Sequence, residues 1–460
     1  MDELKKKLLY QPKNGYDTME VEERVALEDY CEGYMRYLDE ARTEREAVQK
    51  AIELAEAAGF VPLNEKTRGI QPGEKVYWSN RGKSLLLAVG GKQPMSAGCV
   101  IEAAHVDAPR LDLKQLPLYE DSELCYFRTH YYGGIKKYQW TAIPLELHGR
   151  VMLADGSAVD VVIGREPEDP QFVITDLLPH LAKDQMDKKM REGIPGEKLN
   201  LIIGSVPYAG EGDNRVLLAV LSLLNERYGI TEADFISAEL EVVPAFPVRE
   251  IGLDRSLIGG YGQDDRVCAY AELKAILDVE QPEHTAVCIL ADKEEIGSYG
   301  VTGMNSQAFE WFMTRLCGGL CGVEECFANS LCLSADVTAA YDPLYADVSE
   351  KKNCARINYG VGFCKFTGSG GKSGSSDASA ETVSRIRSLC DRNNIRWQMC
   401  ELGKVDQGGG GTVAMFMARR NIETLDAGVP VLSMHAPFET TAKLDCYMTY
   451  KCMLAAYREE

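Results

Sequence analysis

The sequence lacks any apolar run near the roughly 20 residues that a membrane-spanning helix needs, so a helical membrane protein is excluded. Its opening stretch, MDELKKKLLYQPKNGYD, has no signal-peptide core, and a cytoplasmic location is expected. There is no long basic block. Lys plus Arg total 50 against 70 Asp plus Glu, a net charge of −20, which disfavours nucleic acid and anionic lipid as partners. Histidine is scarce, with six residues in 460, so each one in unusual surroundings is easy to notice. Disorder is not expected, because 45% of residues are hydrophobic and 26% charged. Cysteine is plentiful at fifteen, but the count is odd and the residues are scattered from Cys31 to Cys452. A disulfide framework is therefore not expected. The tightest group, Cys317, Cys321 and Cys326, lacks CxxC spacing and a nearby His, so buried reduced thiols explain it better than a thiolate metal site.

Residues 19–58 carry apolar positions at helical spacing and end at Gly59. Thr43 and Glu46 have the spacing of a capping box and mark a break. SLLLAVGG (84–91) and CVIEAAHVD (99–107) read as buried strands. After about residue 115 the texture changes. LELHGRVML and AVDVVIG alternate around Asp155-Gly156, a hairpin signal. A helical stretch, NRVLLAVLSLLNERYG, and a strand, AELEVVPAFPV, follow. Residues 115–250 are accordingly expected to form a separate domain inserted into the first. From 264 onward TAVCILADKEE, LCLSADV and VPVLSMHAP are short apolar runs, with helical segments at 376–391 and 438–458 among them. Strands alternating with helices predict an α/β domain with a mostly parallel central sheet.

Five places share one format, in which an apolar run stops and acidic or histidine side chains follow. They are His105 with Asp107, Asp264 with Asp265, Glu294 with Glu295, Asp336, and His435. Four of the five follow a predicted strand directly. Ligands of open α/β sheets bind at the carboxyl ends of strands. Two histidines and several carboxylates converging there would make a nitrogen-and-oxygen site for a metal such as zinc. Each place alone also reads as a solvated turn or a structural His; the joint pattern is what favours the metal. GSGGKSGSS (368–376) contains Gly-Lys-Ser, but Phe366 stands where a phosphate loop needs Gly. This segment reads instead as the start of the helix at 376, capped by Ser375 or Ser376.

HVDAPRLDLK, DDR, DKEEIGS, SADVTAAYDP, GKSGSSDASAE, DQGGGGTVA and MHAPFE occur in one order between about residues 100 and 445. Together they resemble the M18 family of metallo-aminopeptidases, the aspartyl aminopeptidase family, and its bacterial branch most of all. The resemblance implies an α/β peptidase domain, 1–114 and 251–460, with 115–250 as an inserted β-rich dimerisation domain. It implies two zinc ions per subunit, with cobalt or manganese as other occupants. His105, Asp264 and Asp336 would hold one; Asp264, Glu295 and His435 would hold the other. Such a pair polarises the scissile carbonyl and lowers the pKa of water. Glu294 would be the general base, and Asp107 would accept the other ring N–H of His105. A cis peptide after Asp264 is implied too.

The same resemblance assigns Lys365 to an acidic side chain of the first substrate residue, where an exposed strand lysine is the plain alternative. It assigns His180 to the active site of a neighbouring subunit, where a loop histidine is the alternative. Gly408 to Gly411 would let backbone approach the substrate, although a flexible loop also explains them. The substrates implied are short or unfolded peptides, and the assembly a homo-oligomer, a tetrahedral dodecamer with enclosed active sites. Two other functions compete: a different dinuclear zinc amidohydrolase, such as a carboxypeptidase or deacylase, and a non-catalytic assembly protein.

Overall fold

Four segments are buried along their whole length: Ser84–Val89, Cys99–His105, Thr285–Ala291 and Leu331–Ser334. Strands of this kind need cover on both faces. In the computed structural model, which describes residues 2–64 and 69–459, they lie at the middle of a nine-stranded sheet. Thr285–Ala291, Cys99–His105, Leu331–Ser334 and Glu423–Gly428 are successive neighbours and pair parallel. Ser84–Val89 and Val361–Cys364 flank them antiparallel. One face is covered by the helices Val21–Glu40, Glu44–Ala57, Gln263–Leu277, Ala380–Arg392 and Lys443–Tyr457, which share one apolar core. Ala308–Cys317, Val323–Ala328 and Ala414–Ala418 cover the other. The four parallel strands present their carboxyl ends along one edge.

The predicted break at Thr43 is present. Its side chain accepts the Glu46 N–H and the Glu46 side chain reaches back to the Thr43 N–H, a complete capping box. The helix expected from 376 begins instead at Ala380, with Ser379 as its cap, accepting from the Thr382 N–H. The reason lies upstream. Residues 366–377 fold on themselves, with bridges between Phe366 and Asp377 and between Ser369 and Ser373, and this removes Ser375 and Ser376 from the helix. Pro430–Leu432, from the third apolar run, does not join the large sheet either. It lies in a five-stranded sheet with Arg249–Ile251, Leu257–Gly260, Thr338–Ala339 and Glu439–Ala442.

A third sheet of six strands is wholly antiparallel and draws every strand from between Arg110 and Pro244, with its own apolar core. Its first strand, Arg110–Asp121, begins ahead of residue 115. Buried ion pairs tie this sheet to the helix Glu44–Ala57. Arg110 bridges Glu44 and Glu241 at 3.4 and 3.2 Å, and His148 Nδ1 lies 2.8 Å from Glu46 Oε1. Glu46 thus caps that helix, and Glu44 and Glu46 together anchor the six-stranded sheet to it. Removing one partner of a buried pair leaves an uncompensated charge, so this joint is sensitive to single substitutions.

Thr43→Ala should destabilise the protein by about 1 kcal/mol through the lost cap. A thermal melt of the variant checks this, and a melting curve that overlays the wild type would show that packing alone sets the helix start.

Candidate metal centre and substrate cavity

His105 closes the strand Cys99–His105 and is buried. Its Nε2 lies 3.2 Å from Asp264 Oδ1 and 4.0 Å from Asp336 Oδ1. Asp264 stands in the first turn of Gln263–Leu277, and its peptide bond to Asp265 is cis. The second oxygen of Asp264 is 3.2 Å from His435 Nε2, which is 3.5 Å from Glu295 Oε1. The structure therefore forms two donor groups, His105–Asp264–Asp336 and Asp264–Glu295–His435, each with ligand atoms within 4.8 Å of one another. Asp264 belongs to both.

The electrostatics fit a divalent cation. Burial and neighbouring carboxylates push Glu295 and Asp336 well above the usual carboxylate range. Glu295 Oε1 is buried with no hydrogen-bond partner. Asp264 alone is held low, against its burial, by the His105 and His435 rings. His435 is pushed up to about 10, because Asp264 and Glu295 outweigh the cost of burying a charged ring. A positive ion at the shared carboxylate would offset the crowding of Glu295 and Asp336 and would take the place of the proton on His435. Nitrogen and oxygen donors in this ratio suit zinc.

The surrounding groups aim the rings. His105 Nδ1 is 3.0 Å from the Asp107 carbonyl and 3.3 Å from its Oδ1, and His435 Nδ1 is 2.8 Å from the Gly134 carbonyl. Both Nε2 atoms are thereby left facing Asp264. Asp107 also accepts the N–H groups of Glu294 and Glu295, at 3.1 and 3.2 Å, and the Tyr132 hydroxyl at 2.7 Å. Glu294 carries no such constraint on its own carboxyl, whose Oε2 lies 3.9 Å from His105 Nε2. Burial, with Asp107 and Asp264 nearby, pushes Glu294 up to about 7, the range suited to a general base at neutral pH.

Two residues of this centre escaped the sequence analysis. Glu439 accepts the backbone N–H of His435 at 2.7 Å and of Asp264 at 3.0 Å, so one carboxylate sets two ligands. Burial and Asp264 raise it to about 8. Its signal was its place four residues after His435 in MHAPFE, a segment recognised without a role for this Glu. Tyr132 comes from the six-stranded sheet and had no local signal.

The centre opens into a cavity of about 480 Å³. Phe366, Leu402, Val405, Met415, Phe416 and Met434 line it, with Glu294, Asp336 and His435 at one side. Gly408 to Gly411 line it as well. A Cβ on Gly408 would meet the Leu402 carbonyl at 1.7 Å, and one on Gly409 the Gly368 carbonyl at 1.8 Å. These glycines let two loops close on each other to build the wall. Lys365 is not among the lining residues, although Cys364 and Phe366 on either side of it are. Strand alternation turns it away, and its Nζ lies 2.6 Å from Asp377 Oδ1. The lysines that do line the cavity are engaged: Lys372 with Asp377 at 3.0 Å and Lys404 with the Asp347 carbonyl at 2.6 Å. His180 is exposed and lies outside the lining of this cavity.

A family model described as "Aminopeptidase I zinc metalloprotease (M18)" matches residues 37–457. The probable M18 family aminopeptidase 1 of Clostridium acetobutylicum is 45% identical over 455 residues, covering 96% of this chain and 97% of the relative. The crystal structure of an M18 family aminopeptidase from Thermotoga maritima has a TM-score of 0.94 at 43% identity, covering 98% of this chain and 100% of that one. The S. cerevisiae mApe1 dodecamer shares the fold at 21% identity, with a TM-score of 0.76 over 94% of this chain and 96% of that one. The chain belongs to the M18 family of zinc metallo-aminopeptidases.

Proposed function

We propose that this aminopeptidase removes the N-terminal residue of short or unfolded peptides at a two-zinc centre. The observation that carries the reading is the pair of donor groups sharing Asp264. In it His105 and Asp336 complete one metal site, Glu295 and His435 the other. Zinc is the family's metal; cobalt and manganese accept the same donors. When bound, the metals supply Lewis-acid chemistry at the scissile carbonyl and lower the pKa of the attacking water. Glu294 takes the proton of that water and delivers it to the leaving amine. Asp107 fixes the backbone of Glu294 and Glu295 together, so that one carboxyl is committed to metal while its neighbour stays free to titrate. Phe366, Leu402, Val405, Met415 and Phe416 exclude water from the side where a substrate side chain would lie.

The six-stranded sheet, which spans Arg110 to Pro244, is assigned to dimerisation. Leu177, Leu178, Leu181, Met186 and Met190 are each at least half exposed around His180, an apolar patch that a second subunit would cover. The yeast relative is described as a dodecamer, which supports a homo-oligomer here, and the family resemblance suggests a tetrahedral dodecamer as its form. All fifteen cysteines are free thiols, which suits a reducing cytoplasm. No described helix is long and apolar enough to cross a membrane. Acidic selectivity, which the resemblance attaches to Lys365, gains no support from that residue's placement beside Asp377. The cavity wall favours an apolar first residue instead.

Glu294→Gln should keep both metals and lose roughly 10²–10⁴-fold in turnover, the usual cost of removing a general base. Glu295→Gln should lose metal as well. Metal analysis beside kinetics separates them, and the reverse pattern would exchange the two roles. Lys365→Ala should leave the aspartyl-to-leucyl ratio of kcat/KM unchanged. A fall of about tenfold, equivalent to ~1.4 kcal/mol, would return the lysine to the substrate. His180→Ala should lower activity in the assembled enzyme, and light scattering should find an oligomer. A fully active monomer would remove both His180 and the six-stranded sheet from the reading.

A further inference from the structure

Two cysteine sulfurs meet in the wall of the substrate cavity. Cys364 ends the strand Val361–Cys364, is partly exposed and lines the cavity. Cys400 follows the neighbouring strand Trp397–Met399 and is only 3% exposed. These strands pair parallel with Phe363 opposite Met399, so the residues that follow stand side by side. The Cys400 N–H donates to the Phe363 carbonyl at 2.9 Å, and the two Sγ atoms lie 3.2 Å apart. Gly362 leaves the room that the Cys400 thiol occupies; a Cβ there would come within 3.0 Å of its Sγ. Other thiols are close as well, Cys99–Cys326 at 3.6 Å, Cys390–Cys452 at 3.7 Å and Cys317 against both Cys321 and Cys326, but none of them lines the cavity.

We propose that Cys364 and Cys400 form a dithiol site open to the substrate cavity, in which Cys400 clears adducts that small disulfides leave on Cys364. The asymmetry of exposure sets the order. The Cys364 thiolate attacks a low-molecular-weight disulfide RSSR that enters the cavity, forming a mixed disulfide and releasing one RS⁻. Cys400 then attacks the Cys364 sulfur and releases the second RS⁻. The two cysteines lose two electrons and two protons, and RSSR is reduced to two RSH. The sulfurs need to close by only about 1 Å to reach the ~2.05 Å of a disulfide bond. Attack requires the thiolate. Contact with Cys400, burial and Asp426 all hold the Cys364 thiol up, so only a minor thiolate fraction of Cys364 reacts and exchange needs such a disulfide in excess. A group left on Cys364 would occupy the space between Phe366 and Thr338, beside the metal ligands; the internal disulfide keeps that space open.

The test treats the zinc-loaded enzyme with excess bis(2-hydroxyethyl) disulfide and maps its peptides by mass. The wild type should yield a Cys364–Cys400 linked peptide, no adduct on Cys364, and free thiols at Cys99, Cys326, Cys390 and Cys452. Cys400→Ser should accumulate the hydroxyethyl adduct on Cys364. It should also lose leucyl peptide hydrolysis several-fold more than the treated wild type, with recovery in dithiothreitol. A persistent Cys364 adduct in the wild type overturns the proposal, as does an unmodified Cys364 in both proteins. A linked wild-type peptide without an adduct on the variant overturns the order of attack. Should Cys400→Ser not fold, the wild-type map alone decides.

Discussion

One buried carboxylate organises the centre. Asp107 is fully buried and accepts from the backbone of Glu294 and Glu295 and from the Tyr132 hydroxyl, while its own residue contacts the His105 ring. These partners come from three places: the loop after Thr285–Ala291, the strand Leu124–Tyr132 of the six-stranded sheet, and the strand ending at His105. A charge buried without partners would cost several kcal/mol. The partners that keep it ionised are thus brought together by the same interaction that places Glu294 beside the two donor groups. Charge-assisted hydrogen bonds from backbone N–H groups are roughly twice as strong as neutral ones, so the Glu294–Glu295 turn is held by the site rather than by its own local preference.

The second constraint is that the centre is built against its own electrostatics. Asp264, Glu294, Glu295, Asp336 and Glu439 crowd one edge of the sheet, and all but Asp264 are pushed above their ordinary range. Like charges and burial both oppose ionisation of such a cluster, and a bound cation would offset that cost. Glu439 shows how much backbone the fold commits to this, because it spends both oxygens on the N–H groups of two ligands.

This division explains what could be read from the sequence. Parallel strands expose their carboxyl ends at one edge, so residues that directly follow apolar runs converge there without knowledge of tertiary contacts. His105, Asp336 and the Glu294–Glu295 pair are all of that kind; the structure gathers His105, Asp336 and Glu295 with Asp264 and His435, and sets Glu294 3.9 Å from the His105 ring. Tyr132 was invisible because it arrives through a different sheet. Glu439 was invisible because its part is played through backbone N–H groups, which carry no sequence signature. The helix start near 376 was misplaced for a related reason. Ser375 and Ser376 are good caps locally, but the bridges Phe366–Asp377 and Ser369–Ser373 claim the segment first. Pro430–Leu432 looked like a buried strand and is one, but burial alone does not say which sheet a strand joins.

The substrate wall follows a different rule from the metal edge. Along Val361–Cys364 and the residues after it, side chains alternate between the cavity and the outside, so a one-residue difference decides whether a group can touch the substrate. Cys364 and Phe366 face in, and Lys365 pairs with Asp377. A motif match fixes position along the chain but not which face a residue occupies. The facing loop, 402–412, presses against this strand's extension through Gly408 and Gly409, where no side chain could fit. Chemistry is therefore set by strand ends, which the fold makes convergent, and selectivity by the register and loop contact of the wall. That is why the reaction was legible from residue order and the preferred substrate was not.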